Sequence, residues 1–163
     1  MTSDGLKVTR LEDGAIVRLD LPGGELTNSA ASQFSDCCSE TAQDRDVKIV
    51  VVSSLGTDFC VGAAKDLERA KVVPDPASAL AAVSVPVVGL FRGKCHSVGL
   101  EIALCCDIRV GVRNSTFELS DPMVGVLPMW GGTQRLPRAI GTGRATTMLL
   151  LGKSISSDVA ISW

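Results

Sequence analysis

The sequence lacks the features that mark several large classes of protein. No run of lysine and arginine is long enough to follow a phosphate backbone, and 16 basic against 18 acidic side chains leave a net charge of −2. We therefore expect no nucleic-acid partner. The longest apolar stretches, 48–54 and 83–91, are too short to span a bilayer, and residues 1–14 lack the apolar core of a signal peptide. These absences predict a cytoplasmic protein with no membrane partner.

Histidine is nearly absent, and the cysteines are poorly spaced for cross-links or for a metal. The six cysteines stand at positions 37, 38, 60, 95, 105 and 106, and His96 is the only histidine. Two adjacent pairs are not the spacing of a disulfide framework in a domain of this size. A zinc site needs a second spaced pair or several histidines. The sequence therefore predicts reduced, mostly buried thiols and no metal.

Common catalytic and nucleotide-binding signatures are missing as well. The chain contains no G-x-S-x-G elbow, no P-loop and no G-x-G-x-x-G motif. What is present is enough apolar material for one folded unit, because 45% of the 163 residues are hydrophobic and 21% are charged. We therefore predict a single domain over residues 1–163.

The first third of the chain predicts a hairpin, a helix and a buried strand. Residues 6–11 and 15–21 alternate apolar and polar side chains around an Asp-Gly pair at 13–14, a two-residue turn signal. An Asn-Ser pair at 28–29 is expected to cap a helix with apolar residues at three- and four-residue steps. Residues 47–52 form a β-branched run typical of a buried parallel strand. The order of elements is thus β-β-α-β.

The remainder of the chain predicts short strands alternating with short helices. Gly62 is expected to precede a helix. The other expected elements are a helix at 77–82, a strand at 85–91, an apolar helix at 99–106, strands at 108–112 and 116–119, a helix from about residue 133 and a last helix capped at 156–158. That last helix meets the end of the chain at Trp163 within about two turns, so we expect the chain to be truncated.

Glu101 is the first candidate for chemistry. A carboxylate within the apolar helix at 99–106 must either find hydrogen bonds or have its pKa raised by desolvation, which would make it a useful acid or base. The alternative is a first-turn residue that is favoured by the helix dipole and open to solvent. Asp121 stands before Pro122, and by itself this position favours a turn residue over a catalytic one.

Two pairs of residues are candidates for binding an oxyanion. The pairs 62–63 and 98–99 each lie where a strand is expected to lead into a helix, so that free amide groups are available at the start of the helix. The alternative is that the glycines only permit tight turns. His96 is a possible base, but no carboxylate stands at a readable spacing, and a structural histidine is the competing interpretation.

Three motifs in order resemble the enoyl-CoA hydratase/isomerase (crotonase) family. They are Phe-Cys-Val-Gly-Ala at 59–63, Gly-Leu-Glu-Ile-Ala-Leu-Cys-Cys-Asp-Ile-Arg at 99–109, and Gly-Val-Leu-Pro at 125–128 with Gly-Gly-Thr-Gln-Arg-Leu at 131–136. The resemblance covers nearly the whole chain. It implies an α/β fold, a spiral of β-β-α repeats, and C-terminal helices that build trimers or hexamers in the family. We expect a homo-oligomer, which would be a trimer or hexamer if the full-length form has those helices, which are missing from this sequence.

The resemblance also implies roles for particular residues. The thioester oxygen would accept hydrogen bonds from the amides of Ala63 and Val98, a task that preorganised backbone donors can perform. The second position is normally glycine, and a positive φ at Val98 would be strained. The family contacts CoA largely through backbone, and the matching positions here are Val61, Ala63, Ala64, Lys65, Asp66 and Val98. Lys65 is either a contact to a CoA phosphate or an exposed helix residue.

The two hydratase carboxylates fall on Glu101 and Asp121. In the family both are glutamates: the first helps to deliver hydroxide to the β-carbon and the second protonates the α-carbon. The missing methylene at Asp121 withdraws its carboxylate by ~1.5 Å, and a misplacement of about 1 Å can lower a rate on the order of 100-fold.

The resemblance therefore implies a 2-enoyl-CoA hydratase, a lyase of fatty acid metabolism, with acyl-CoA as substrate and no resident cofactor. An enoyl-CoA or carrier-protein thioester isomerase is one alternative, although the additional acid of the dienoyl-CoA isomerases would fall on Met129. The other alternative is a non-catalytic module that binds CoA or acts as a scaffold.

Overall fold

The computed structural model describes residues 5–163 as a mixed α/β chain. The strands are β1 (Lys7–Leu11), β2 (Ile16–Leu21), β3 (Glu25–Leu26), β4 (Ile49–Ser54), β5 (Gly62–Ala63), β6 (Val87–Phe91), β7 (Lys94–His96), β8 (Ile108–Gly111), β9 (Thr116–Glu118) and β10 (Ile155–Ser156). The α-helices are α1 (Asn28–Gln43), α2 (Pro76–Ala81), α3 (Val98–Ala103), α4 (Gly132–Ile140), α5 (Thr142–Leu151) and α6 (Ser157–Ser162). Two short 3-10 helices span Glu12–Gly14 and Asp121–Val124.

The main sheet has five strands in the order β1-β2-β4-β6-β8. The first pair is antiparallel, and β2, β4, β6 and β8 run parallel to one another. Two smaller sheets pair β10 with β9 and β7, and β3 with β5. Parallel strands need connections that cross over the sheet, and α1, α2 and α3 lie in those connections. The predicted hairpin, helix and strand follow one another in the expected order in the first third of the chain, but the short strand β3 between β2 and α1 was not predicted.

The predicted hairpin is present, but its turn is longer than the sequence suggested. Leu11 pairs with Ile16, so four residues connect the strands instead of two. Glu12 and Asp13 both have positive φ, at 49° and 54°. An aspartate tolerates this conformation better than most residues because its short side chain can bond locally. The Asp-Gly pair is therefore part of the turn but does not form it alone.

Helix α1 begins one residue earlier than predicted. Its N-cap is Thr27, whose Oγ1 accepts a hydrogen bond from the amide of Ala30, so the cap predicted at Asn28 is wrong. The expected apolar face is present, and Ala30, Phe34 and Cys38 are fully buried against the sheet. The helix thereby packs against β2 and against α2.

The helix predicted after Gly62 is wrong. Gly62 and Ala63 form β5, which pairs in parallel with β3, and turns follow over residues 65–66 and 69–71. The partner segment Glu25–Leu26 is distant in sequence, and its pairing overrides the local helical pattern. Strand β7 was also missed, because its three residues are too few for a periodic signal.

Aromatic side chains and cysteines contribute to the hydrophobic core. Phe91 makes edge-to-face contacts with Phe59 and Phe117, at ring-centroid distances of 4.7 and 6.2 Å. All six cysteines are free; four are buried, and Cys37 and Cys105 are half-buried, which confirms the prediction of reduced, mostly buried thiols. None of the helices within residues 5–163 is long and apolar enough to cross a membrane.

Candidate active site

Glu101 lies on α3 and is fully buried. Its Oε1 atom accepts hydrogen bonds from the backbone amides of Trp130 and Gly132, both at 2.8 Å. A Cβ atom on Gly132 would lie 3.0 Å from that oxygen, so glycine gives the closest approach of the amide to the carboxylate. Its Oε2 atom has no hydrogen-bond partner among the described residues. The solvent-exposed interpretation of Glu101 is therefore wrong.

Burial changes the acidity of this carboxyl group. Desolvation raises the pKa of Glu101 from 4.5 to about 7, against the opposing effects of the two amide hydrogen bonds and of the Arg69 charge. The negative charge of Asp121 raises it further. A carboxyl group with a pKa near 7 can both give and take a proton at neutral pH, which suits general acid–base catalysis.

We expect this shift to make the stability of the protein depend on pH. Because the folded pKa of about 7 exceeds the ordinary value of 4.5, the folded chain binds more protons than the unfolded chain between these values. The stabilisation is complete below about pH 4.5 and is lost as the pH rises to about 7, by up to about 3 kcal/mol.

Denaturation of the parent and of Glu101→Gln at several pH values measures this effect. The contributions of the other titrating groups cancel when the unfolding free energy of Glu101→Gln is subtracted from that of the parent. This difference should decline from pH 5 to pH 7 and then level off. A difference that stays constant across this range would contradict the assignment of a raised pKa to Glu101.

Asp121 begins the 3-10 helix that follows β9, and its side chain is 3% exposed. Its Oδ1 atom accepts hydrogen bonds from Arg69 Nη2 and from Ser97 Oγ, both at 2.6 Å. Its Oδ2 atom has no partner within residues 5–163. The turn interpretation is correct for the backbone, but the buried ion pair with Arg69 gives the side chain a second role that the sequence left open.

Arg69 is a site residue that the sequence analysis missed. Its side chain is 11% exposed, and its Nη2 atom also donates to Ser97 Oγ at 3.0 Å. The Trp130 indole donates to the Arg69 carbonyl at 3.3 Å, which ties the loop to the segment before α4. No motif or periodicity marks Arg69, because its partner Asp121 lies 52 residues further along the chain.

The two predicted oxyanion positions lie on adjacent segments. The amide of His96 donates to the Cys60 carbonyl at 2.9 Å, which places the chain before β5 beside the chain before α3. A Cβ atom on Gly99 would lie 2.6 Å from Cys60 Cβ, so only glycine permits this approach. Ala63 follows on β5, and Val98 is the first residue of α3. The structure therefore brings the two segments together.

The positive φ expected at Val98 is found instead at Ser97, the residue before it. Ser97 has φ 51° and ψ −124°, whereas the φ of Val98 is not positive. A serine in this region is unfavourable by about 1–3 kcal/mol and persists only where its surroundings hold it. Here the Ser97 amide donates to the Glu118 carbonyl, and its hydroxyl donates to Asp121.

The other candidate residues have local partners. Lys65 and Asp66 are exposed, in a turn and not in a helix. Asp66 accepts a hydrogen bond from the Asn28 amide. The amides of Val61 and Ala64 donate to carbonyls of the β3 segment, at Gly24 and Leu26. These residues lie beside Ala63, but their contacts within the fold leave a role in CoA binding as a prediction.

His96 has a structural environment. Its Nε2 atom lies 2.9 Å from Thr116 Oγ1, its Nδ1 atom lies 3.9 Å from the Glu118 carboxylate, and burial lowers its pKa.

Met129 is an exposed residue and offers no acid. In the described part of the chain, no three His, Cys, Asp or Glu side chains are grouped as metal ligands.

Known proteins resemble this chain in sequence and in structure. The family model of enoyl-CoA hydratase/isomerase matches residues 24–163. The fatty acid oxidation complex subunit alpha of Shewanella frigidimarina is 36% identical over 94% of this chain and 24% of its own length. The chain thus spans about a quarter of the curated relatives it matches.

Several solved structures share the fold. An enoyl-CoA hydratase from Mycobacterium avium subsp. paratuberculosis is 27% identical with a TM-score of 0.87, over 98% of this chain and 65% of its own. Pseudomonas aeruginosa DspI is 25% identical with a TM-score of 0.87, over 99% and 66%. An enoyl-CoA hydratase from Bacillus anthracis is 25% identical with a TM-score of 0.80, over 97% and 67%. The predicted α/β crotonase-like fold is confirmed.

Proposed function

This chain belongs to the enoyl-CoA hydratase/isomerase family, and on that basis we propose that it adds water across the double bond of a 2-enoyl-CoA thioester. The observation that supports this most directly is Glu101, a fully buried carboxyl with a pKa of about 7. One of its oxygens is held by two amides, and the other has no hydrogen-bond partner among residues 5–163. Asp121 offers a second buried carboxylate, whose Oδ2 atom also has no partner among those residues. Two such groups can divide the reaction between them: one accepts a proton from the attacking water, and the other donates a proton to the α-carbon.

In the proposed mechanism, the thioester oxygen accepts hydrogen bonds from the amides of Ala63 and Val98. These donors stabilise the negative charge that forms on the oxygen as water attacks the β-carbon. One proton of the water passes to a carboxylate, the oxygen bonds to the β-carbon, and a second carboxyl group protonates the α-carbon. The product is the 3-hydroxyacyl thioester, and both carboxyl groups return to their starting states when a proton moves between them.

The hydrogen bonds of the site favour exchanging the roles that the family resemblance implies for the two carboxyl groups. Asp121 already accepts two hydrogen bonds on Oδ1, from a guanidinium and a hydroxyl, which suits an acceptor for water. Glu101, with its raised pKa, suits the donor of the proton to the α-carbon. We therefore assign the water to Asp121 and the proton to Glu101.

A double-bond isomerase is the second candidate. Glu101 is the carboxyl group of this site whose pKa lies near neutrality. A single group of this kind is enough to remove a proton from one carbon of an enoyl chain and return it to another. The same oxyanion donors would stabilise the intermediate dienolate.

Incubation of the protein with crotonyl-CoA tests these proposals. Hydration removes the absorbance of the enoyl thioester and produces 3-hydroxybutyryl-CoA. A shift of the double bond in a 3-enoyl-CoA without hydration of crotonyl-CoA would replace the hydratase by the isomerase. Binding of both thioesters without turnover of either would replace both by the non-catalytic module.

The partners of the protein follow from the same proposal. An acyl-CoA would lie along the segment of Val61, Ala64, Lys65 and Asp66, next to Ala63. We also propose a homo-oligomer, which is supported by exposed apolar side chains on neighbouring strands of the main sheet. These are Leu90, Ile108 and Val110.

Asp121→Glu tests whether the site is built around the shorter carboxylate. Asp121 is buried and held through Oδ1 by two bonds of 2.6 Å, so an added methylene must displace the carboxylate from Arg69 and Ser97. We expect kcat for a short enoyl-CoA to fall by roughly 10-fold or more, on the basis of the misplacement. Asp36→Glu, on the exposed face of α1, is the matched control. A rise in kcat at unchanged KM would instead indicate a hydratase limited by the reach of Asp121.

A further inference from the structure

Three buried polar atoms of this site have no hydrogen-bond partner in residues 5–163. They are Arg69 Nη1, Glu101 Oε2 and Asp121 Oδ2. Leaving one such group unsatisfied costs about 1–3 kcal/mol, and most buried polar groups in native proteins have a partner. The concentration of three of them in one place therefore indicates the position of a polar ligand.

An ion pair and two hydrogen bonds of Trp130 connect the residues that carry these three atoms. Arg69 and Asp121 form an ion pair at 2.6 Å. The Trp130 amide donates to Glu101 Oε1 at 2.8 Å, and the Trp130 indole donates to the Arg69 carbonyl at 3.3 Å. One donor and one acceptor, Arg69 Nη1 and Asp121 Oδ2, match a single water molecule or hydroxyl group. A water molecule can donate one hydrogen to Asp121 Oδ2 and accept a hydrogen bond from Arg69 Nη1, which leaves a lone pair for attack, while Oε2 of protonated Glu101 carries the proton for the α-carbon.

The charges of the site favour an uncharged oxygen over an anionic group. The positive charge of Arg69 is already matched by Asp121. A carboxylate on the acyl chain would add a negative charge beside Asp121 and Glu101, which is unfavourable at short distance. The unpartnered Nη1 atom is therefore suited to a neutral oxygen.

We propose that Arg69 Nη1 donates a hydrogen bond to the oxygen on the β-carbon of the acyl group. This oxygen belongs to the attacking water before addition and to the 3-hydroxyl group afterwards. The assignment rests on the proposed hydration and makes Arg69 a catalytic residue of that reaction. In the forward direction Arg69 orients the water, and in the reverse direction it stabilises the hydroxide as the carbon–oxygen bond breaks.

Affinity for two ligands that differ by one hydroxyl group tests the proposal by a readout other than the rate of turnover. The Kd values of 3-hydroxybutyryl-CoA and butyryl-CoA are measured by calorimetry for the parent and for Arg69→Met. We expect the parent to prefer the hydroxylated ligand by roughly 10- to 100-fold, the range for a hydrogen bond to a charged group. In Arg69→Met the ratio should fall to near one, mainly through weaker binding of the hydroxylated ligand. Arg138→Met, at an exposed arginine of α4, should keep the parental ratio.

Arg69→Met leaves the Asp121 charge without its partner, so a second pair of variants guards against misfolding. Asp121→Asn retains Arg69 and should keep a preference for the hydroxylated ligand, whereas Asp121→Asn combined with Arg69→Met should lose it. Circular dichroism identifies the folded variants to be compared. A preference that survives removal of Arg69 overturns the assignment, as does a parent that binds both ligands equally.

The outcomes also separate this proposal from the proposed hydration. If the parent prefers 3-hydroxybutyryl-CoA through Arg69 but does not hydrate crotonyl-CoA, the oxygen site is supported and the hydratase function is refuted. If the parent hydrates crotonyl-CoA but has no such preference, the hydratase function is supported and the Arg69 site is refuted. If the parent binds neither ligand, both proposals are refuted.

Discussion

Replacement of Glu101 by glutamine is expected to remove most of the turnover of an enoyl-CoA substrate, by about 10²- to 10⁴-fold in kcat. The glutamine carbonyl can still accept the hydrogen bonds that Trp130 and Gly132 donate to Oε1. The variant replaces Oε2 by an NH2 group that neither ionises nor accepts a hydrogen bond. Fold and thioester affinity should therefore be preserved while the proton transfer is lost.

The measurement needs both kcat and a binding constant for the same thioester. Circular dichroism and the Kd for butyryl-CoA should match those of the parent. Glu68→Gln, at an exposed glutamate of the loop that carries Arg69, controls for a general effect of the change. Turnover of Glu101→Gln within a few-fold of the parent would rule out Glu101 as the acid or base.

Replacement of Asp121 by alanine should have the largest effect on stability. Arg69 is 11% exposed and pairs with Asp121 through a bond of 2.6 Å, so the variant leaves a buried guanidinium without its counter-charge. Breaking a buried pair in this way typically lowers the free energy of unfolding by about 3–5 kcal/mol. Urea denaturation of the parent and the variant measures the loss.

A double variant separates the ion pair from the packing around it. Arg69→Met combined with Asp121→Ala removes both charges and should be less destabilised than Asp121→Ala alone. The exposed pair of Lys71 and Glu68 is the matched control, because exposed ion pairs contribute little and Glu68→Ala should leave the stability nearly unchanged. Additive effects of the two single substitutions at Arg69 and Asp121 would contradict a coupled buried pair.

Much of the fold could be predicted because burial leaves a local trace in the sequence. The alternating segments of β1 and β2 and the β-branched run of β4 reveal which face of each strand meets the core. The apolar repeat of α1 does the same for the helix. The boundaries were less certain, since Thr27 rather than Asn28 caps α1, and a cap depends on one side-chain bond.

The candidate site was predicted in part. Glu101 drew attention as a carboxylate in an apolar helix, and the structure decided between the buried and the exposed interpretation in favour of burial. The neighbouring glycines of the two oxyanion segments were also visible, and the structure brings those segments together at Cys60 and Gly99. The roles of Ala63 and Val98 remain predictions from the family resemblance.

The sequence by itself determined most of the elements whose residues carry a repeating pattern, and it singled out Glu101 as a candidate while leaving its burial open. Only the tertiary structure decided the contacts between segments that are distant in the chain: the pairing of β3 with β5, and the ion pair of Arg69 with Asp121 across 52 residues. The physical reason is that periodicity reports the average environment of one segment. The partner of a single polar side chain depends on how the folded chain brings distant segments together, and nothing in the local pattern around Arg69 records it.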